Sequence, residues 1–291
     1  MSIPESDLII NPDGSIYHLN LLPEDVADIV ITVGDPNRVA EVSKHFDKIE
    51  LKKGKREFIT HTGMQGHNRI TVLSTGIGTD NIDIVLNELD ALVNIDFHKR
   101  EVNKDLKSLK IIRIGTSGSV QDDIPLGSIM ASSFGLGLDA LMNYYISQNT
   151  EEEDDILIGF NKHFNSIPNL NPYITAGSKH LLSTIGKEMM HGITATAPGF
   201  YGPQGRRLRA QNSIDNLTGQ ISSFNHNGNK ITNLEMETAG IYALANMLGH
   251  QAISINAILA SRTKLEFAKE PQKIIDQTIK LVFEGICSIK P

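Results

Sequence analysis

The stretch Ile111-Ile112-Arg113-Ile114-Gly115-Thr116-Ser117-Gly118 decides how the chain is read. Isoleucine fills three of its first four positions, which fits a short buried strand and is too short for a helix. After Ile114 the side chains become small. The pattern predicts a turn in which glycines let backbone N–H groups approach an anion while Thr116 and Ser117 add donors. Arg113 is the odd residue, because a buried guanidinium is costly unless a charge pairs with it. It fits either a core arginine–carboxylate bridge or an anion site at the carboxyl end of a parallel strand, where α/β sheets place ligands.

Upstream, DIVITV at 28–33 reads as a first strand, ending at Gly34-Asp35-Pro36-Asn37-Arg38. Asp35 suits a helix N-cap and Pro36 the first helical position. Such a turn can hold an anion with Arg38 nearby, although an ordinary strand-to-helix turn has the same signature. Hairpin strands are expected at 57–62 and 69–74, joined through Gly63 and Gly66. Thr75-Gly76-Ile77-Gly78 then opens a helix with Ile82, Val85, Leu86, Leu89, Leu92 and Val93 on one face. Asn81 stands where a dinucleotide fingerprint needs its third glycine, so no Rossmann cofactor site is expected. Residues 94–110 are polar and read as a surface insertion.

Downstream, strands are expected at 128–132, 192–197 and 252–259, and the like-charge run EEEDD at 151–155 reads as a solvated loop. Ser178 suits an N-cap. The glycine–proline loop at 197–209 carries Phe200, Tyr201, Gln204, Arg206, Arg207 and Arg209. An aromatic face, an amide and a guanidinium close together suit one flat, carbonyl-bearing heterocycle. Asn233-Leu234-Glu235-Met236-Glu237-Thr238 reads as the opening of a periodic helix whose acids complement the dipole. Pro271 opens a last helix with Ile275, Ile279, Val282 and Ile286 inward. Alternating strands and helices predict a single α/β sandwich domain over 1–291.

Composition narrows the function. The 291 residues carry 34 carboxylates against 27 Lys and Arg, a net charge of −7, which argues against nucleic acid as a partner. No apolar run approaches the roughly 18 residues of a membrane span, and the first ten residues lack the order of a signal peptide. A single cysteine, Cys287, allows no internal disulfide, so a cytoplasmic protein is expected. The histidine spacing predicts no transition-metal site.

Taken together, the motifs Gly34-Asp35-Pro36-Asn37-Arg38, Arg56-Glu57-Phe58, Ser74-Thr75-Gly76-Ile77-Gly78, Arg113-Ile114-Gly115-Thr116 and Glu235-Met236-Glu237 resemble the nucleoside phosphorylase superfamily, and within it the uridine phosphorylases. The resemblance runs from about Tyr17 to the C-terminus, with insertions near 94–110 and 149–172. It implies a three-layer α/β/α sandwich around a mixed, barrel-like sheet, in homodimers or hexamers built of dimers. It also implies reversible phosphorolysis of a pyrimidine nucleoside, uridine first, to free base and ribose 1-phosphate. Phosphate is then a co-substrate and no cofactor is required. The alternatives on this fold are a hydrolytic nucleosidase and a non-catalytic nucleoside-binding protein.

By this resemblance phosphate is held by Gly34, Arg38, Arg56, Arg113 and Thr116, with Arg56 reaching into a neighbouring subunit's site. Thr116, Met236 and Glu237 meet the ribose, and His18 is lent by the other subunit to the 5′-hydroxyl. Phe200, Gln204, Arg206 and Arg262 read the base. Purine-specific relatives place an aspartate after the serine where this chain has Ser261-Arg262, and an arginine cannot hand a proton to a purine N7. Arg113, Arg206 and Glu237 are the residues expected to carry catalysis. The resemblance leaves room for a monovalent cation such as potassium beside Glu57 and Ile77, where Asn81 replaces a serine.

Overall fold

Apolar, β-branched runs between glycine turns form the strands here, and apolar stripes at helical period form the helices that cover them. The computed structural model describes residues 2–165, 167 and 170–289; positions 166, 168 and 169 of the second insertion lie outside the described residues. The chain divides into two compact units, Met1–Ile112 with Leu244–Gln251 and Arg113–Ala243 with Ala252–Pro291.

In the first unit lie β1 (Ile29–Val33), α1 (Pro36–Ser43), β2 (Lys48–Lys55), β3 (Phe58–Gln65), β4 (Asn68–Ser74), α2 (Thr79–Asn94), β5 (Ile95–Asp96) and β6 (Glu101–Val102). The strand order is β2-β3-β4-β1, with β1 parallel to β4 and the other pairs antiparallel. The Asp35 carboxylate accepts from the Asn37 N–H at 2.9 Å with Pro36 at the first helical position, as expected from sequence. Gly63 is not in the hairpin turn but within β3. A Cβ there would lie 2.2 Å from the Lys48 carbonyl oxygen, so the close approach of β2 requires the glycine. Within the 94–110 segment β5 and β6 pair as a small antiparallel hairpin.

The second unit takes β7 (Lys110–Ser119) from Arg113 on. It continues with β8 (Ile129–Gly137), α3 (Glu151–His163), β9 (Tyr173–Ala176), α4 (Lys179–Thr184), β10 (Met190–Thr196), α5 (Leu217–Ser223), β11 (Asn225–His226) and β12 (Asn229–Glu235). The last elements are α6 (Thr238–Met247), whose residues from Leu244 on belong to the first unit, β13 (Gln251–Ser261), β14 (Glu266–Phe267) and α7 (Pro271–Cys287). Strands β12, β10 and β8 run parallel, β13 is antiparallel to β8, and β7 neighbours β13. Gly118 and Ser119 of β7 then pair with Leu234 and Asn233 of β12, closing five strands into a barrel. The fold is mixed α/β, with helices around a barrel-like sheet.

The structure corrects three expectations. Residues 115–119 are strand rather than turn: β7 runs on to Ser119, and its last two residues, Gly118 and Ser119, pair with β12. The 233–238 segment does not open a helix: pairing with β10 holds the strand to Glu235, and α6 starts at Thr238. The acidic run at 151–155 is not a loop but the start of α3. Thr150 Oγ1 accepts from the Glu153 N–H at 3.3 Å, Glu153 accepts from the Thr150 N–H at 2.7 Å, and the acids face the positive end of the helix dipole.

The barrel strands also place polar side chains at alternate positions, and these bond to one another. Asn233 donates to Ser117 (2.9 Å), Thr194 to Asn233 (2.9 Å), Thr194 meets Ser132 (2.6 Å), and Asn256 donates to Ser132 (3.0 Å). Such a chain of bonds across β7, β12, β10, β8 and β13 penalises a one-residue slip of any strand, since every partner would change face. Arg113 is attached to it through Asn256.

Candidate active site

In the second unit the site is built on Arg113, which is 5% exposed. Its Nη2 lies 2.9 Å from Glu235 and 2.5 Å from Glu237, and Nη1 donates to Asn256 at 2.9 Å and Ser254 at 3.5 Å. Burial alone would push the guanidinium pKa down; Glu235 first, and then Glu237, outweigh it and leave the pKa raised. Gly115 is required by this arrangement, because a Cβ there would lie 1.7 Å from Nη1. The guanidinium packs on the strand where a side chain would otherwise stand.

Glu235 does more than pair. Its carboxylate accepts from Thr196 Oγ1 at 2.6 Å, the Glu237 N–H at 2.9 Å and the Thr238 N–H at 3.0 Å, so it caps α6 and fixes the backbone of Glu237. Met236, between the two acids, is half-buried, as is Thr116. The cluster thus presents two carboxylates against one fixed cation, which suits hydroxyl donors and an oxyanion respectively.

The loop residues form a second group. Gln204 is 2% exposed within a short 3₁₀ turn, Gly202–Gln204, that ends on Gly205 at φ +69°. Arg206 donates to the Phe200 carbonyl at 2.9 Å and to Gln204 Oε1, and its guanidinium lies 3.8 Å over the Phe200 ring centroid. Burial, then the charge of Arg262, pushes the Arg206 pKa down to about 10, with Tyr201 opposing. Burial likewise lowers Arg262, whose Nη1 is enclosed without a hydrogen-bond partner among the described residues. Gly118 makes room for Arg262, since a Cβ would meet its Cγ at 3.1 Å. Two neighbouring guanidiniums, one with an unmet donor, call for an acceptor-rich ligand.

In the first unit, Gly34 and Arg38 flank the Asp35 cap and are half-buried. Arg56 is exposed between β2 and β3 at φ +56°, a conformation that costs a non-glycine residue energy. Glu57 is half-buried, Ile77 is 67% exposed, and Asn81 closes on Gly76, whose added Cβ would be 2.3 Å from Nδ2. His18 Nδ1 lies 2.6 Å from Glu88. Among the described residues no group of three His, Cys, Asp or Glu side chains could hold a metal, and no helix is long and apolar enough to cross a membrane.

Glu235, Ser254, Asn256 and Glu88 escaped notice as site residues. Ser254 and Asn256 had a signal, polar residues two apart in the apolar run 252–259, which marks an inward-facing polar row on a strand. Glu88 had no local signal.

The Phosphorylase superfamily model matches residues 28–284. A uridine phosphorylase of Thermococcus kodakarensis is 28% identical over 94% of this chain and 88% of its own. A DeoD-type purine nucleoside phosphorylase of Buchnera aphidicola is also 28% identical, over 94% and 99%. The crystal structure of a Trypanosoma brucei nucleoside phosphorylase, described as showing uridine phosphorylase activity, superposes with a TM-score of 0.89 at 29% identity, covering 97% of this chain and all of that one. The chain belongs to the phosphorylase superfamily and is a pentosyltransferase of the nucleoside phosphorylase kind.

Proposed function

We propose that the protein phosphorolyses a pyrimidine nucleoside, uridine first, to uracil and ribose 1-phosphate. Relatives named for uridine and for purine nucleosides both match, so the choice of base rests on the pocket's own chemistry. The observation that carries it is the group Gln204, Arg206 and Arg262: the Arg206 guanidinium lies over the half-exposed ring of Phe200, donates to Gln204 and feels the charge of Arg262. Uracil brings two carbonyls and an N–H in one plane, which this set can pair; adenine would leave donors unmet.

In this reading Arg113 and Thr116 hold phosphate, and Gly34, Arg38 and Arg56 take the phosphate role that the resemblance implies for them. Glu237 accepts the ribose 2′- and 3′-hydroxyls with Met236 against the sugar, and His18 serves the 5′-hydroxyl of a neighbouring subunit. A phosphate oxygen forms its bond to C1′ as the C1′–N1 bond breaks, and the electron pair departs with the base. Arg206 and Gln204 stabilise the resulting uracil anion, which then takes a proton from solvent. No enzyme nucleophile is used.

The test is turnover of uridine, thymidine and inosine with and without phosphate. Uridine cleavage that requires phosphate is expected, with inosine slower by several orders of magnitude. Equal base release without phosphate would make the protein a nucleosidase; no product with any substrate would make it a binding protein.

A further inference from the structure

The carboxylate of Glu88 is committed to the turn that carries His18. It accepts from the His18 N–H at 3.0 Å, from the Leu19 N–H at 2.8 Å, and lies 2.6 Å from His18 Nδ1. Its side chain is 13% exposed and that of His18 26%. The turn cannot shift easily. Ile16, Leu19 and Leu21 are buried, and the Tyr17 ring packs edge-on to the imidazole at 4.7 Å. Lys55 Nζ lies 4.4 Å over the Tyr17 ring and donates to the Tyr17 carbonyl at 2.5 Å.

An ionised carboxylate can only accept, so the ring nitrogen facing it must carry the proton. In a neutral imidazole the other nitrogen, Nε2, is then an acceptor, with its direction fixed by the pinned backbone. We propose that Glu88 is a positioning residue: it holds His18 in the Nδ1–H tautomer and so makes Nε2 an acceptor for the ribose 5′-hydroxyl. This rests on the ribose role given to His18 above.

The competing account is that Glu88 only ties down the turn. Glu88→Gln separates the two. Glutamine keeps one oxygen for the backbone amides, but its NH₂ faces the ring, which must accept at Nδ1 and place its proton on Nε2. The outer nitrogen changes from acceptor to donor while the tether survives.

Uridine and 5′-deoxyuridine, at saturating phosphate, read this directly, because the second lacks the group Nε2 is to meet. Glu88→Gln is expected to lower kcat/KM for uridine about tenfold and for 5′-deoxyuridine less than about twofold. The ¹⁵N spectrum of the His18 ring, assigned by its loss in His18→Ala, is expected to move its proton from Nδ1 to Nε2, a result that needs no substrate. Equal losses on both substrates with an unchanged tautomer would overturn the proposal. A uridine preference that depends on His18 but not on Glu88 would overturn it while sparing the ribose role of His18. A preference that survives His18→Ala would remove both.

Discussion

Two regions of the second unit hold arginines in opposite ways. Arg113 projects from a barrel strand, is almost wholly buried and, among the described residues, bonds to Glu235, Glu237, Asn256 and Ser254. Arg206 and Arg262 are half-buried and repel each other. Arg206 is braced, among the described residues, by Phe200 and Gln204 of its own loop, and a largely apolar cavity of about 650 Å³, lined by Phe160, Phe164, Leu217 and Ile221, lies against that loop beside Tyr201 and Arg206. Groups held by sheet hydrogen bonds are set before a ligand arrives, which suits the parts of a nucleoside shared by all nucleosides. Groups on a loop against open space can vary with the base without disturbing the barrel.

The comparison predicts that stability and activity fall together in the first region and separately in the second. Arg113→Ala removes the cation paired with the buried Glu235 and Glu237, so it should cost about 3–5 kcal/mol of stability. Thermal melting should show Tm lower by about 10 °C, and uridine kcat/KM should fall about a thousandfold. An Arg113→Ala protein with normal melting and normal phosphate saturation would remove the distinction.

Gln204→Ala should instead lower uridine kcat/KM about a hundredfold by leaving the uracil edge unpaired. Phosphate saturation should barely move and Tm should change by less than about 3 °C. Parallel loss of stability would mean that the loop is as integral as the barrel.

The smallest effect expected is that of Gly205→Ala. Its φ of +69° and a Cβ 2.8 Å from Thr218 Oγ1 make alanine strained there. A cost of about 1 kcal/mol, or about 3 °C in Tm, is expected. Uridine kcat/KM should fall more than this suggests, roughly fivefold to tenfold, because the strain falls between Gln204 and Arg206. Unchanged uridine kinetics would show that the loop absorbs the strain away from the base.

Local chemistry was legible in the chain. The Asp35–Pro36 start of α1 closes through a hydrogen bond to a residue two positions away, and the apolar stripe of α7 needs only helical period, so both were readable in order. The motif residues also declared which chemistry they suit, because a guanidinium, a carboxylate pair and an amide beside an aromatic ring keep their donors and acceptors in any fold. What the sequence could not determine was which long-range partner each group would meet. Residues 115–119 look like a turn until β12 pairs with Gly118 and Ser119 at the end of β7, and Glu235 looks like a helix opener until β10 holds it in a strand. Arg113 finds Glu237 across 124 positions, and His18 finds Glu88 across 70. Only tertiary structure decides such pairs, because barrel closure and the packing of a turn on α2 set them, and neither leaves a periodic mark in the sequence.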